Sequence, residues 1–212
     1  MPRDYQRLDR FLDEIGADIY PEPDTDFHSG ISREMFERLM GLFALPEGAR
    51  VLDVGCGSGV ALDLFYGRRL DAIGVTLGEA DLAAARTRGF VVEAMDQSFL
   101  DFPRQSFDLV WARHVLEHSV FPFYTLSEMS RVLKPGGVFY MEVPAPETSA
   151  HHERNKNHYS VLGRGAWLEL LARSGFSVVD AVDINLTLVS GSDTYWVFFC
   201  RKEIHPRSRA DA

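Results

Sequence analysis

The chain has 212 residues, of which 46% are hydrophobic and 25% charged, the profile of one ordinary globular domain with a sizeable core rather than a disordered or fibrous chain. Its 31 acidic side chains outnumber 22 basic ones, and the net charge of −9 disfavours nucleic acid and anionic membrane as partners, leaving a small molecule as the default. Cys56 and Cys200 make no disulfide framework, no apolar run reaches the ~18 residues of a membrane span, and no apolar leader follows Met1, so the cytoplasm is the expected location.

Leu8, Phe11, Leu12 and Ile15 recur at helical spacing and predict a short helix over 4–15, broken by the prolines at Pro21 and Pro23. A second helix is expected over 32–43 from Met35, Phe36, Leu39, Leu42 and Phe43. In the loop between the two helices, Tyr20, Phe27 and His28 are placed to cover an acceptor or to be plain surface. From residue 50 onward apolar strands alternate with helical stretches, the pattern of a doubly wound α/β sheet with helices on both faces. Strands are expected at 50–54, 71–76, 90–94, 107–111, 137–143, 176–183 and 194–201, with helices at 59–66, 79–87, 123–132 and 162–173. Too few residues separate the last two strands for a crossover helix, so they should pair antiparallel at one edge of a seven-stranded sheet. The expected division is an N-terminal helical appendage over 1–48, a cofactor-binding domain over 49–203 and a basic tail over 204–212.

The first strand runs into Asp53-Val54-Gly55-Cys56-Gly57-Ser58-Gly59, where alternate glycines let the backbone turn at positive φ and bring its amides against a ligand. A dinucleotide fingerprint G-x-G-x-x-G would require glycine at position 60 or 62, where the chain has Val60 and Leu62. Asp53 is placed to orient the loop or to accept hydrogen bonds from a ligand's charged end.

Here the chain resembles the class I S-adenosylmethionine-dependent methyltransferases, with a domain like their type 11. The loop with Asp53, Gly55, Cys56, Gly57 and Gly59 looks like the first motif of that family, and further stretches agree in order across residues 50–201. The resemblance places a ribose contact at the end of the second strand, usually an acid, where this chain has Thr76-Leu77. It implies an adenine contact for Asp96 with Gln97 and Ser98 beside it, and a segment Arg113-His114-Val115-Leu116-Glu117-His118 passing beneath the methyl donor. Arg131-Val132-Leu133-Lys134-Pro135-Gly136-Gly137 is similar to the turn that precedes the fifth strand in that family. The implied cofactor is S-adenosylmethionine and the implied reaction is methyl transfer to an oxygen, nitrogen or carbon of a small-molecule acceptor, which the sequence does not identify.

If the acceptor must lose a proton, histidine is the side chain that titrates in the working range, and His158, then His118 and His114, are the expected bases. His158 closes the polar run His151-His152-Glu153-Arg154-Asn155-Lys156-Asn157-His158, which is expected to cover the acceptor. His114 and His118 also satisfy H-x-x-E-H, a spacing that on a helix sets two imidazoles one turn apart. No metal is assigned. Two alternatives stand beside the main reading: a protein that binds S-adenosylmethionine without transferring its methyl, and a metal-assisted enzyme drawing on His114, His118, His151 and His152.

Overall fold

The computed structural model describes residues 5–16, 26–189 and 191–204. Tyr20, the side chain of Phe27 and the tail beyond Ile204 lie outside the described part.

Among the described residues, seven strands form one sheet: β1 (Arg50–Val54), β2 (Asp71–Thr76), β3 (Val92–Ala94), β4 (Phe107–Arg113), β5 (Leu133–Pro144), β6 (Phe176–Leu188) and β7 (Gly191–Lys202). Their spatial order is β3-β2-β1-β4-β5-β7-β6. β1, β2, β3, β4 and β5 pair parallel, whereas β7 pairs antiparallel with both β5 and β6. The expected antiparallel pair is present at the edge, with β7 inserted between β5 and β6 rather than outermost. Seen from β1, the connections lead outward to β2 and β3 on one side and to β4 and β5 on the other. In open sheets of this kind ligands bind at that switch point, beyond the carboxyl ends of the strands.

Six α-helices of the described residues flank the sheet: α1 (Gln6–Gly16), α2 (Asp26–Leu42), α3 (Val60–Gly67), α4 (Glu79–Thr87), α5 (Pro122–Val132) and α6 (Arg164–Arg173). The strands' period of two sorts the core by face. Val51, Leu109, Trp111, Tyr140 and Phe199 pack with Phe36 and Leu39 of α2, Leu62 and Phe65 of α3 and Leu82 of α4. Leu52, Val54, Val110, Phe139 and Phe198 face the other way, onto Leu126 and Met129 of α5 and Trp167 and Leu171 of α6. Because α2 shares the first of these cores, no break between cores falls at residue 48.

Most element bounds differ from expectation by one to several residues, β6 running on to Leu188 rather than ending at 183. α2 begins at Asp26, so His28 is helical rather than part of a loop, and its ring meets His114 edge-on at 6.1 Å. The apolar stripe that predicts this helix starts only at Met35, and the residues before it carry no helical run of that kind. β5 begins at Leu133, four residues early: Leu133 pairs with Phe107, the register then shifts, and Gly136 takes φ 73° in the irregularity. α1 exists as expected but buries none of its side chains, and its end, Ile15 and Gly16, reaches the cavity described next.

Candidate active site

The carboxyl ends of β1, β2 and β4 surround a cavity of about 270 Å³. Its floor is the glycine loop. Gly55, Gly57 and Gly59 all have positive φ, at 71°, 51° and 94°. The amides of Gly55 and Cys56 both bond the carbonyl of Val75, which ties the loop to the end of β2 at 2.8 and 3.0 Å. At Gly55 an added Cβ would lie 2.3 Å from Val115 Cγ2, so glycine is required twice over, by dihedral and by space. Gly74 on β2 has a matching reason: its missing Cβ makes room for the Cys56 side chain.

Asp53 sits beneath this loop at 2% exposure, and its Oδ2 is buried with no hydrogen-bond partner among the described residues. Burial pushes its carboxyl well above the usual carboxylate range, against the partial counter-pull of the Arg113 charge. A buried carboxylate with an unsatisfied oxygen calls for a cationic or donor ligand. S-adenosylmethionine carries both an ammonium and a sulfonium, so the residues present fit that cofactor.

Of the residues expected at the cofactor, Asp53, Gly55, Cys56, Gly57, Thr76, Leu77, Asp96, Gln97 and Arg113 line the cavity. Gly59 does not; it precedes α3, and a Cβ there would strike Phe90. Ser98 does not either: it is buried, and its hydroxyl meets the Thr125 hydroxyl at 2.8 Å on the α5 side. Asp96 has one oxygen committed locally, accepting from the Ser98 amide at 2.6 Å, and Gln97 is pinned by donating to the Val115 carbonyl at 2.9 Å. Arg113 is held by Glu142, Nε to Oε1 3.0 Å.

Asp81 is a site residue that the sequence motifs do not single out. It stands in the first turn of α4, lines the cavity and lies close enough for its charge to help raise the Cys56 thiol, after burial and Asp53. An acid in the first turn of a helix that follows β2 is the signal that marks it. Trp111, Asn157 and Tyr159 also reach the cavity.

The histidines separate into different surroundings. His114 lies at a left-handed φ of 52° just past β4, its Nε2 2.8 Å from Glu142 Oε1 and its ring stacked on Tyr195 at 4.4 Å. Burial alone would raise the Glu142 carboxyl, but the charges of Arg113 and His114 and hydrogen bonds from His114 and Tyr140 outweigh it and hold it at about 2. His118 ends a three-residue turn, Leu116–His118, so His114 and His118 share no helical face and the H-x-x-E-H spacing does not produce paired imidazoles. His118 faces the cavity; His158 lies behind it, outside the lining, with ring centroids 4.7 Å apart. His151 is half exposed beside Glu153, and His152 is held by both oxygens of buried Asp193 at 3.0 Å. The cluster of His114, His118, His151 and His152 therefore does not assemble, because Glu142 and Asp193 draw two of its members away.

The segment carrying His158 is fastened onto the turn that carries His118. The Ser160 amide donates to the Glu117 carbonyl at 2.9 Å, the Ser160 hydroxyl to the Ser119 carbonyl at 2.6 Å, and His118 Nδ1 meets the Asn157 carbonyl at 2.9 Å. A carbonyl only accepts, so Nδ1 carries a proton, and in the neutral form of the ring Nε2 is then the nitrogen that bears the lone pair.

A mostly parallel sheet with a glycine loop, a buried acid and a cavity at its switch point defines a nucleotide-type cofactor-binding enzyme fold. The chain belongs to the family described as "Methyltransferase domain", whose pattern matches residues 27–163, and with it to the class I S-adenosylmethionine-dependent methyltransferases, whose cofactor is S-adenosylmethionine. Among similar proteins, the 27-O-demethylrifamycin SV methyltransferase of Amycolatopsis mediterranei is 29% identical over 167 residues, covering 70% of this chain and 61% of its own length. A tRNA U34 carboxymethyltransferase of Hydrogenovibrio crunogenus is 30% identical over 193 residues, 81% of this chain and 56% of its own length. The chain thus spans less than two thirds of these curated relatives. Among solved structures, the [4+2]-cyclase SpnF shares the fold with a TM-score of 0.70 at 22% identity, covering 95% of this chain and 94% of its own. A relative named for tRNA means that membership of the family does not itself exclude nucleic acid; the acidic charge carries that expectation. No helix among the described residues is long and apolar enough to cross a membrane.

Proposed function

We propose that this chain transfers a methyl group from S-adenosylmethionine to a small-molecule acceptor, with an oxygen acceptor the preferred case. The observation that carries the reading is the buried Asp53 carboxyl beside the positive-φ glycine loop, lining one cavity together with His118. When bound, the cofactor supplies a methyl already activated on a sulfonium, so the protein's work is to hold and align. Asp53 and the loop amides bind the charged end of the cofactor. Asp81 takes the ribose contact that the neutral Thr76 lacks, and Asp96 with Gln97 holds the adenine edge. In its neutral form His118 offers the Nε2 lone pair from the cavity wall, suited either to take a proton or to ligate an ion. His114, tied to Glu142, and His158, behind His118, support that wall. The name of the rifamycin enzyme, an O-methyltransferase by its words, favours a hydroxyl acceptor, and the net charge of −9 favours a small molecule over nucleic acid.

Calorimetry with S-adenosylmethionine, followed by assay of S-adenosylhomocysteine release against a panel of phenols, hydroxy acids, amines and unmodified tRNA, tests the reading. Cofactor binding with turnover on a hydroxyl compound supports it. Failure to bind the cofactor would sink it. Binding without turnover on any acceptor would favour the second reading, a protein that retains the cofactor without transferring its methyl, which the neutral Thr76 is the residue to suggest.

A further inference from the structure

We propose that Glu117, His118 and His158 form a binding site for a divalent transition ion beside the acceptor end of the cavity. One ligand atom from each of the three lies within 4.8 Å of the others. Donors about 2.1 Å from a tetrahedral ion sit roughly 3.4 Å apart, so the group closes on an ion with shifts on the order of 1 Å. Glu117 is 1% exposed, so an ion held there would be screened from bulk water on the Glu117 side.

The histidine next to it is prepared in the way metal ligands usually are. The bond between His118 Nδ1 and the Asn157 carbonyl fixes both the ring's orientation and its tautomer, and so aims the lone pair of Nε2. The same segment then delivers His158, whose ring meets His118 edge-on at 4.7 Å, while the two Ser160 bonds clamp it to the Glu117–Ser119 backbone. The arrangement thus depends on three separate hydrogen bonds between segments some 40 positions apart, not on the H-x-x-E-H spacing. Neighbouring histidines do not join it: His114 is bound to Glu142 and His152 to Asp193.

Two imidazoles and one carboxylate suit zinc, manganese or cobalt, whereas calcium and magnesium prefer sets of oxygens. Three protein ligands leave a position open, and His118 places that position at the cavity wall. The ligand it would take there is a hydroxyl oxygen of the acceptor, which a divalent ion makes easier to ionise. In this arrangement His118 Nε2 ligates and does not itself take the proton. Only the acceptor's identity as the ligand rests on the methyl-transfer reading; the ion site does not.

The test is a titration of chelator-treated full-length protein with Co²⁺ alone, followed by its visible absorption, with cofactor binding measured in parallel. One saturable Co²⁺ per chain is expected. His118→Ala, His158→Ala and Glu117→Gln should each weaken it at least about tenfold, the lower end of what even outer-shell changes cost, while His151→Ala leaves it unchanged. Circular dichroism identifies any variant that fails to fold, and the partly exposed His158 supplies the variant that keeps the test decisive. No saturable absorption in the wild type, or full affinity retained in folded His158→Ala, overturns the site. Loss of S-adenosylmethionine binding in the wild type would strike the methyl-transfer reading instead and leave this one standing.

Discussion

The two sides of the cavity are built by different means. On the cofactor side the shape is set by backbone: glycines at positive φ, amides bonded to the Val75 carbonyl, and contacts made within one β-α-β unit. On the acceptor side it is set by side chains brought from distant parts of the chain, Asn157 and Ser160 onto the 116–119 turn and Asp193 onto His152. A backbone-built site tolerates few substitutions, because its positive-φ positions accept little besides glycine. A side-chain-built site can be altered one pair at a time, which is how a common cofactor fold comes to serve different acceptors.

Glu142 holds two residues of the cavity lining at once, Arg113 and His114, and its loss should be the largest single effect. Glu142→Gln removes the charge from a buried ion pair, and breaking such a pair costs about 3–5 kcal/mol. Chemical denaturation at pH 7 measures it. The pH dependence has a definite sign. The folded carboxyl stands at about 2 against an ordinary 4.5, so its contribution is complete above pH 4.5 and is lost as pH falls through about 2. Wild type should lose stability over that window and Glu142→Gln should lose markedly less; equal acid sensitivity would show that the Glu142 carboxylate does not hold these two residues.

Gly55→Ala comes next. The left-handed dihedral costs about 1–2 kcal/mol for any residue with a Cβ, and the clash with Val115 adds overpacking of about 1–3 kcal/mol. Cofactor affinity should fall with stability. Adding Val115→Ala removes the clash but not the dihedral, so the double variant should recover only part of the loss. Full recovery would mean that side-chain space, not backbone, governs the cofactor side.

Asp53→Asn should separate function from stability. Since burial raises the folded carboxyl of Asp53, its ionised form destabilises the fold, and the penalty grows as pH rises from the ordinary value of 3.8. The variant should therefore be more stable than wild type, by more at pH 8 than at pH 4, while binding S-adenosylmethionine at least about tenfold more weakly, the loss of one charge-assisted interaction. Thermal unfolding at both pH values and calorimetry check the two halves.

The same contrast decides which features are legible in the amino-acid sequence. The expected bounds of β1 and β2 match residue for residue, because each is a short apolar run stopped by glycine or turn residues. The glycine loop is legible for the same reason: its conformational demand is written in consecutive residues. His118 with His158, and His152 with Asp193, are not legible, since nothing local marks partners some 40 positions apart. The H-x-x-E-H spacing points to a helical pair, and the left-handed φ of His114 sends its ring to Tyr195 and Glu142 instead. Ser98 stands two positions from Asp96, yet its hydroxyl turns to Thr125, a choice made by packing against α5.

The smallest effect, and the sharpest probe of the acceptor side, is expected from Asp193→Asn. Asp193 is buried at 2% exposure and accepts from His152 and from the Thr148 hydroxyl, fastening the 148–152 segment to the start of β7. Asparagine keeps the size and one acceptor oxygen but lacks the charge that strengthens both bonds, so the global cost should stay near about 1 kcal/mol. The carboxylate's partners lie in the segment that follows β5 and in the adjoining Thr194 amide, and none of Thr148, His152, Asp193 and Thr194 is among the residues that line the cavity. S-adenosylmethionine affinity should therefore be unchanged while KM for an acceptor rises several-fold at nearly constant unfolding temperature. A parallel loss of cofactor affinity would show that the side-chain-built wall and the backbone-built floor are one cooperative unit, and the division between them would then lie elsewhere in the fold.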